Sequence, residues 1–274
     1  WYTYEPYPRY GTNYFGLRGR ISILSEAFSH DPFERRVLST YAFVREILSL
    51  SAERASEIRA LERDADSSIV AWGRDPGNAR PIPLRSRMTT HPLEELVVYE
   101  DLVRTGDSSR TQPGVPLGIR RTGHYRSAKM KVYDRFEPTL ERRPPAAYVL
   151  RAGDSIAVRL LEEHGVRVQR VSADREARVQ LFTIDSVVSA QRPFQGHREV
   201  SLEGKWSERG QTIAAGSFLV PVAQPMGLVA FYMLEPESDD GLVTWNFFDS
   251  ELAAGAVYPV YRLMDPIPDR PHGR

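Results

Sequence analysis

The chain has no cysteine, which removes thiol nucleophiles, disulfides and cysteine-ligated zinc and leaves only histidine and carboxylate metal sites open. No run of about 18 apolar residues occurs, so no transmembrane helix is encoded. Neither sign of charge is in excess. Lys+Arg and Asp+Glu number 36 each, so no global field draws the chain to nucleic acid or to an anionic membrane. A G-x-S-x-G nucleophile elbow and a G-x-x-x-x-G-K phosphate loop are both absent, as are fixed-period repeats and low-complexity tracts. The sequence opens on Trp1 and the turn-rich WYTYEPYPRYGTN, with neither an initiator Met nor a charged-then-apolar leader, and reads as a fragment or a processed form.

What is present describes an ordinary globular chain. Of its 274 residues 41% are hydrophobic and 26% charged, enough to bury a large core in one large or two ordinary domains. Its 20 prolines and 19 glycines imply many turns between short elements. Residues 20–25 alternate Ile21, Ile23 and Ser25 against Ser22 and Leu24, which predicts a short strand buried on both faces. Glu26 then stands where that strand leaves the sheet, a usual place for an active-site group in an open α/β fold, although a solvated loop glutamate fits the same residues. Asp31, Pro32 and Glu34 follow as an N-cap, a first-turn proline and a third-position acid, with His30 just before them. Phe33, Val37, Tyr41, Val44 and Leu48 recur at three- and four-residue spacing, one apolar stripe expected to pack against the sheet. SAERASEIRALERDADSS continues as a solvated helix or helix pair, and the turn residues of WGRDPGNARPIP, 72–83, mark a boundary.

Beyond it, EELVVYEDLV and AKMKVYDRF read as short antiparallel strands separated by the loop TGDSSRTQPGVPLG. AAYVLRAGDSIAVRLLEEHGVRVQRV reads as a strand, a helix capped by Asp154, a stop at Gly165 and a second strand. Strands are expected in EARVQLFTI and QTIAAGSFLVPV, whereas PMGLVAFYML fits a buried helix and a buried strand equally.

The candidate chemistry outside Glu26 is thin. HPLE at 91–94 has the His-x-x-Glu spacing of zinc peptidases, with His124 or His197 as a third ligand, but Pro92 and the following acids read better as an element boundary. His164 precedes Gly165 at a helix C-terminus, where a cation would complement the dipole. RRTGHYRSAKMK is a basic cluster that reads as a solvated strand pair. EPESDDGLVTWNFFD admits a calcium loop by composition but lacks EF-hand spacing. A turn at Asp239, Asp240 and Gly241, with Trp245, Phe247 and Phe248 filling the core beside it, accounts for the same residues.

Residues 11–37, GTNYFGLRGRISILSEAFSHDPFERRV, resemble the last segment of the catalytic domain of bacterial long-chain zinc metallocarboxypeptidases of the carboxypeptidase A-like superfamily, in which N-Y-x-G-L-R-x-R runs into I-L-S-E-A. PAAYVLRAGDSIAVRLLEEHGVRVQRV and QPMGLVAFYMLEPESDDGLVTWNFFD resemble the C-terminal part of the same proteins. The resemblance implies the terminal strand and helix of a carboxypeptidase-like α/β domain over residues 1–72, followed by a β-rich (α+β) accessory domain over 80–274. It implies hydrolysis of C-terminal peptide bonds, a peptide or peptide-like substrate, a Zn2+ cofactor and a secreted or periplasmic location. Glu26 aligns with the general base and acid, whose carboxylate takes a proton from the attacking water and hands it to the leaving amine; desolvation at a strand end would favour proton uptake there. A tyrosine on a mobile loop contacts substrate in that family, and Tyr14 and Tyr4 are both placed for it. Arg18 and Arg20 either bind substrate carboxylates or flank the strand structurally. The zinc ligands of the family, and the arginine that grips the substrate carboxylate, precede the segment at which this chain starts. HPLE lies on the wrong side of Glu26, so the ligands are expected upstream and residues 1–274 alone are expected to be inactive. A non-catalytic β-rich binding module is the other reading of residues 80–274.

Overall fold

A computed structural model describes residues 1–27, 31–106, 115 and 117–265. His30, read above as preceding the helix start, lies outside the described residues. The chain divides into two compact units that interleave along the sequence: one of Trp1–Glu5, Ile23–Ala60 and Met88–Glu137, the other of Pro6–Ser22, Leu61–Arg87 and Pro138 onward. In chain order the elements are α1 (Gly11–Leu17), α2 (Phe33–Glu53), α3 (Ala55–Arg74), β1 (Ile82–Thr90), β2 (Glu95–Arg104), β3 (Ile119–Met130), β4 (Tyr133–Arg142), β5 (Ala147–Leu150), α4 (Ser155–Glu163), β6 (Gln169–Arg170), β7 (Arg175–Ser189), β8 (Val200–Ile213), β9 (Phe218–Pro221), α5 (Gly227–Leu234) and β10 (Tyr261–Leu263). No helix among the described residues is long and apolar enough to cross a membrane.

The first unit carries α2 and the antiparallel hairpin β2–β3, paired from Glu95↔Met130 to Arg104↔Ile119 with a register break between Glu100 and Leu102. Arg121 Nε donates to Glu100 at 2.6 Å and Arg126 Nε to Asp101 at 2.6 Å, cross-strand pairs that fix the register. The N-terminus lies along the start of β4, where Thr3 N–H donates to Tyr133 O at 2.9 Å and Tyr133 N–H to Trp1 O at 2.9 Å. AKMKVYDRF, expected as one strand, contains the turn between β3 and β4.

Three expectations for residues 20–48 fail. Residues 20–25 form no strand, and Ile21, Ile23 and Leu24 are more than half exposed; periodicity marks residues able to be buried, but a strand also needs a neighbouring edge, and no described residue supplies one here. The stripe of α2 is likewise uncovered, with Phe33 76%, Tyr41 64% and Leu48 65% exposed, so among the described residues it packs on no sheet. The helix begins at Phe33 with Pro32 as its N-cap residue and no side-chain cap, and Asp31 faces Arg35 at 3.9 Å instead of capping. Among the described residues of this unit only Val132 joins the buried hydrophobic residues.

The second unit is built on a six-stranded antiparallel sheet in the order β6-β9-β5-β10-β7-β8. All four residues of β5 are buried, Tyr148 and Leu150 joining one core cluster and Ala147 and Val149 the other, so both sheet faces are covered. Ala157, Val158 and Leu161 of α4 and Val229, Ala230, Phe231 and Leu234 of α5 pack in the first cluster with Phe182, Ile184 and Leu202 of β7 and β8. Each of the Val, Leu, Ile and Phe side chains among them contributes about 1.5–3 kcal/mol by leaving water. PMGLVAFYML resolves as a helix over Gly227–Leu234, with Val229, Ala230, Phe231 and Leu234 buried and Leu228, Tyr232 and Met233 half-buried. A Cβ at Gly227 would fall 2.0 Å from the carbonyl oxygen of Val222, so the start of α5 requires glycine. The helix capped near Asp154 and stopped at Gly165, φ +82, is as expected, though Asp154 accepts from the Arg151 backbone N–H at 2.8 Å rather than capping α4.

Candidate functional site

The residues singled out by sequence fall in both units. Glu26 lies in the first, exposed and outside any strand, so the desolvation expected of it is absent among the described residues. Tyr4 belongs to the same unit and is 39% exposed. Tyr14 and Arg18 belong to the second, on α1 and at its C-cap, with the Arg18 guanidinium 5.5 Å from the Tyr14 ring centre. Arg20 forms a bidentate pair with Asp66 at 2.9 and 3.0 Å, a structural role. His91 Nδ1 accepts the Leu93 N–H at 3.3 Å within its own turn, and His197 Nδ1 lies 3.2 Å from Asn246 Oδ1. Among the described residues no group of three His, Cys, Asp or Glu side chains is placed to hold a metal ion. The described residues therefore form no site for zinc, whose ligands the resemblance puts upstream of Trp1, and no carboxylate cluster for a calcium loop at 235–249.

The second unit contains a cavity of about 350 Å3. Leu17 of α1, Leu160 of α4, Val229 and Met233 of α5 and Leu242 give it apolar walls, and Tyr14, Tyr232, Trp245 and Phe247 give it aromatic ones. The sequence reading placed Trp245, Phe247 and Phe248 in the core. Phe248 is buried there at 3% exposure, whereas Trp245 is half-buried, Phe247 is 38% exposed, and both face the cavity. Gly241 also lines it. A Cβ at that position would stand 2.8 Å from the carbonyl oxygen of Tyr232 and 3.0 Å from that of Met233, so the loop can close on α5 only through glycine.

The polar side chains of the wall are engaged, although Arg9 Nη2 makes no hydrogen bond among the described residues and lies 2.7 Å from Asp240 Oδ1 as an ion pair. Arg9 donates from its backbone N–H to Asp240 Oδ2 at 2.7 Å and from Nε to Oδ1 at 2.9 Å, and Nη1 reaches Glu199. Its guanidinium stacks within 5.0 Å of the ring centres of Tyr7, Phe194 and Trp245. Trp245 Nε1 donates to Asp240 Oδ1 at 2.9 Å. The Tyr14 hydroxyl and His164 Nδ1 share a hydrogen bond of 2.7 Å. Burial, aided by the nearby Arg18 cation and opposed by Glu163, holds His164 below its ordinary 6.5, so it is neutral at pH 7 and not the dipole-complementing cation expected from its place after α4.

Two further acidic groups sit beside α5. Glu235 is fully buried and accepts from Arg262 and from the Tyr148 hydroxyl. Asp239 accepts from the Tyr232 hydroxyl and is pushed up to about 6, first by burial and then by Asp240. Sequence reasoning missed Arg9, His164 as a neutral partner of Tyr14, and the Glu235–Arg262 pair. The one local signal was an arginine set between tyrosines in YPRY.

No family model and no solved structure matches the chain. Among curated proteins it is similar to Carboxypeptidase 2 of Trichophyton equinum, 25% identical over 264 residues that cover 92% of this chain and 43% of that protein. Carboxypeptidase 2 of Trichophyton tonsurans is 24% identical over the same share of both chains. Carboxypeptidase 2 of Trichophyton rubrum is 29% identical over 127 residues, 46% of this chain and 23% of that protein. The chain spans less than half the length of the curated relatives it matches.

Proposed function

We propose that residues 1–274 are the C-terminal part of a zinc-dependent carboxypeptidase of the carboxypeptidase A-like superfamily that hydrolyses C-terminal peptide bonds. The observation that carries this reading is the similarity, over 92% of the chain, to proteins named Carboxypeptidase 2, of which it covers 43%. Residues 11–37 carry the motif that supports it. In this reading Glu26 is the proton-transfer carboxylate, taking a proton from the attacking water and returning it to the leaving amine. Zn2+ is held by residues outside 1–274, and Tyr4, Tyr14 and Arg18 are the candidates for contact with the substrate. The uncovered apolar side chains of residues 21–24 and of α2 are the faces that the rest of a catalytic domain would bury.

The test uses the longer protein that contains this chain. Glu26→Gln is expected to abolish peptide hydrolysis while zinc content, read by metal analysis, stays at the wild-type value. Turnover at the wild-type rate in that variant would overturn the assignment of Glu26, and a longer protein without a His-x-x-Glu and a further histidine before Trp1 would overturn the peptidase reading as a whole. A second reading, a binding module in the second unit, is favoured by the cavity described above.

A further inference from the structure

The cavity of the second unit has three properties that together select a ligand. The first is size. An apolar cavity of roughly 150 Å3 accepts one benzene ring, so about 350 Å3 has room for a fused two-ring group. The second is surface. Four aromatic side chains, Tyr14, Tyr232, Trp245 and Phe247, and the thioether of Met233 face the space, and rings meet rings best edge-to-face or offset. The third is charge. Arg9 and Asp240 are the charged Arg and Asp side chains of the lining, and they are already engaged with each other, Arg9 pairing also with Glu199. A charged ligand entering here would lose its hydration without gaining a counter-ion.

We infer that this cavity is a binding site for an uncharged fused-ring aromatic molecule, held by ring contacts with Trp245, Tyr232, Tyr14 and Phe247. The walls come from residues 8–17 and 160–247 and exclude Glu26; Tyr14 is shared with the peptidase reading, and the experiment therefore reads ligand binding and not hydrolysis. The neutral state of His164 serves it, since a protonated imidazole paired with Tyr14 would place an uncompensated cation in the wall.

The experiment compares four probes of one shape against residues 1–274 by calorimetric titration and by NMR shifts of the Met233 methyl and Trp245 indole N–H. Indole and indole-3-acetamide are expected to bind and to move both signals; indole-3-acetate and tryptamine are expected to bind at least ten-fold more weakly. Leu160→Trp, which fills the space from α4, is expected to abolish indole binding. Leu17→Trp, which fills it from α1, repeats the test should the first variant fail to fold, folding being read by circular dichroism. Absence of indole binding at millimolar concentration, equal binding of the charged probes, or unchanged binding in a folded filling variant would each overturn the inference.

Discussion

Glu235 is the position at which a single atom change should cost most. It is fully buried, with Oε1 accepting from Arg262 Nε at 2.7 Å and from the Tyr148 hydroxyl, and Oε2 facing Arg262 Nη2. Arg262 is itself 4% exposed and lies 3.6 Å from the Trp206 ring centre, so it has no access to water. Burial by itself would lower the Arg262 guanidinium, and the Glu235 carboxylate outweighs it. Glu235→Gln keeps the shape and an acceptor but removes the charge. Two charge-assisted hydrogen bonds at about 1.5–3 kcal/mol each are weakened or lost, and a cation remains buried without its partner, for which losses of about 3–5 kcal/mol are typical. For a unit of this size 1 kcal/mol moves the melting temperature by about 2–4 °C, so the variant should melt about 6–20 °C below wild type. The assay is thermal unfolding followed by near-ultraviolet circular dichroism. Glu235→Leu with Arg262→Met, which removes both charges, should recover most of the loss and lie within about 2 kcal/mol of wild type. A Glu235→Gln variant that loses less than about 1 kcal/mol, or a double variant no more stable than the single one, would refute the reasoning.

Three other outcomes are expected. Asp239 titrates near 6 in the folded chain against an ordinary value of 3.8, so the folded state holds the proton more tightly; the stability it contributes is full below that window and falls as pH rises through it, by up to about 3 kcal/mol. Urea titrations at pH 3.5 and 7 should show this slope in wild type and its loss in Asp239→Asn. Gly241→Ala places a methyl 2.8 Å from the Tyr232 carbonyl oxygen and should cost about 1–3 kcal/mol by chemical denaturation, a neutral result refuting the close approach. Val37→Gln and Tyr41→Gln, on the uncovered stripe of α2, should change the stability of residues 1–274 by less than about 0.5 kcal/mol and, under the carboxypeptidase reading, that of a longer protein containing them by more than about 1, compared by thermal melts of both; a loss of more than about 1 kcal/mol in residues 1–274 alone would show the stripe to be packed within them.

What was legible in the sequence was local. The three- and four-residue spacing of α2, the Asp154-to-Gly165 helix, the β2 hairpin strand and the apolar run of β7 are each written in fewer than twenty consecutive residues, and each is found within a few positions of where it is expected. The place of β10 between β5 and β7 was not legible, since it rests on three residues, among them Arg262, that pair with strands some 80 to 115 positions earlier. The cavity was hidden for the same reason: Tyr14 meets His164 across 150 positions, and Arg9 meets Asp240 across 231. The buried acid of EPESDD gave no sign of its partner, because a carboxylate after an apolar helix reads as a turn until the arginine that faces it is known.

The failed strand at 20–25 bears on Glu26 in a way that its residue type alone does not. A carboxylate that moves protons at neutral pH must be lifted out of bulk water, and Glu26 is exposed, with Ile21, Ile23 and Leu24 facing solvent as well. Under the carboxypeptidase reading, both deficiencies have one remedy. A sheet edge that paired with residues 20–25 would bury Ile21, Ile23 and Leu24, and the same event would carry Glu26 from water to the end of a strand. Burial of the apolar run and activation of the acid are then a single step, so substitutions of Ile23 or Leu24 by polar residues should impair the longer protein's turnover through Glu26 even though neither side chain has any proton to give.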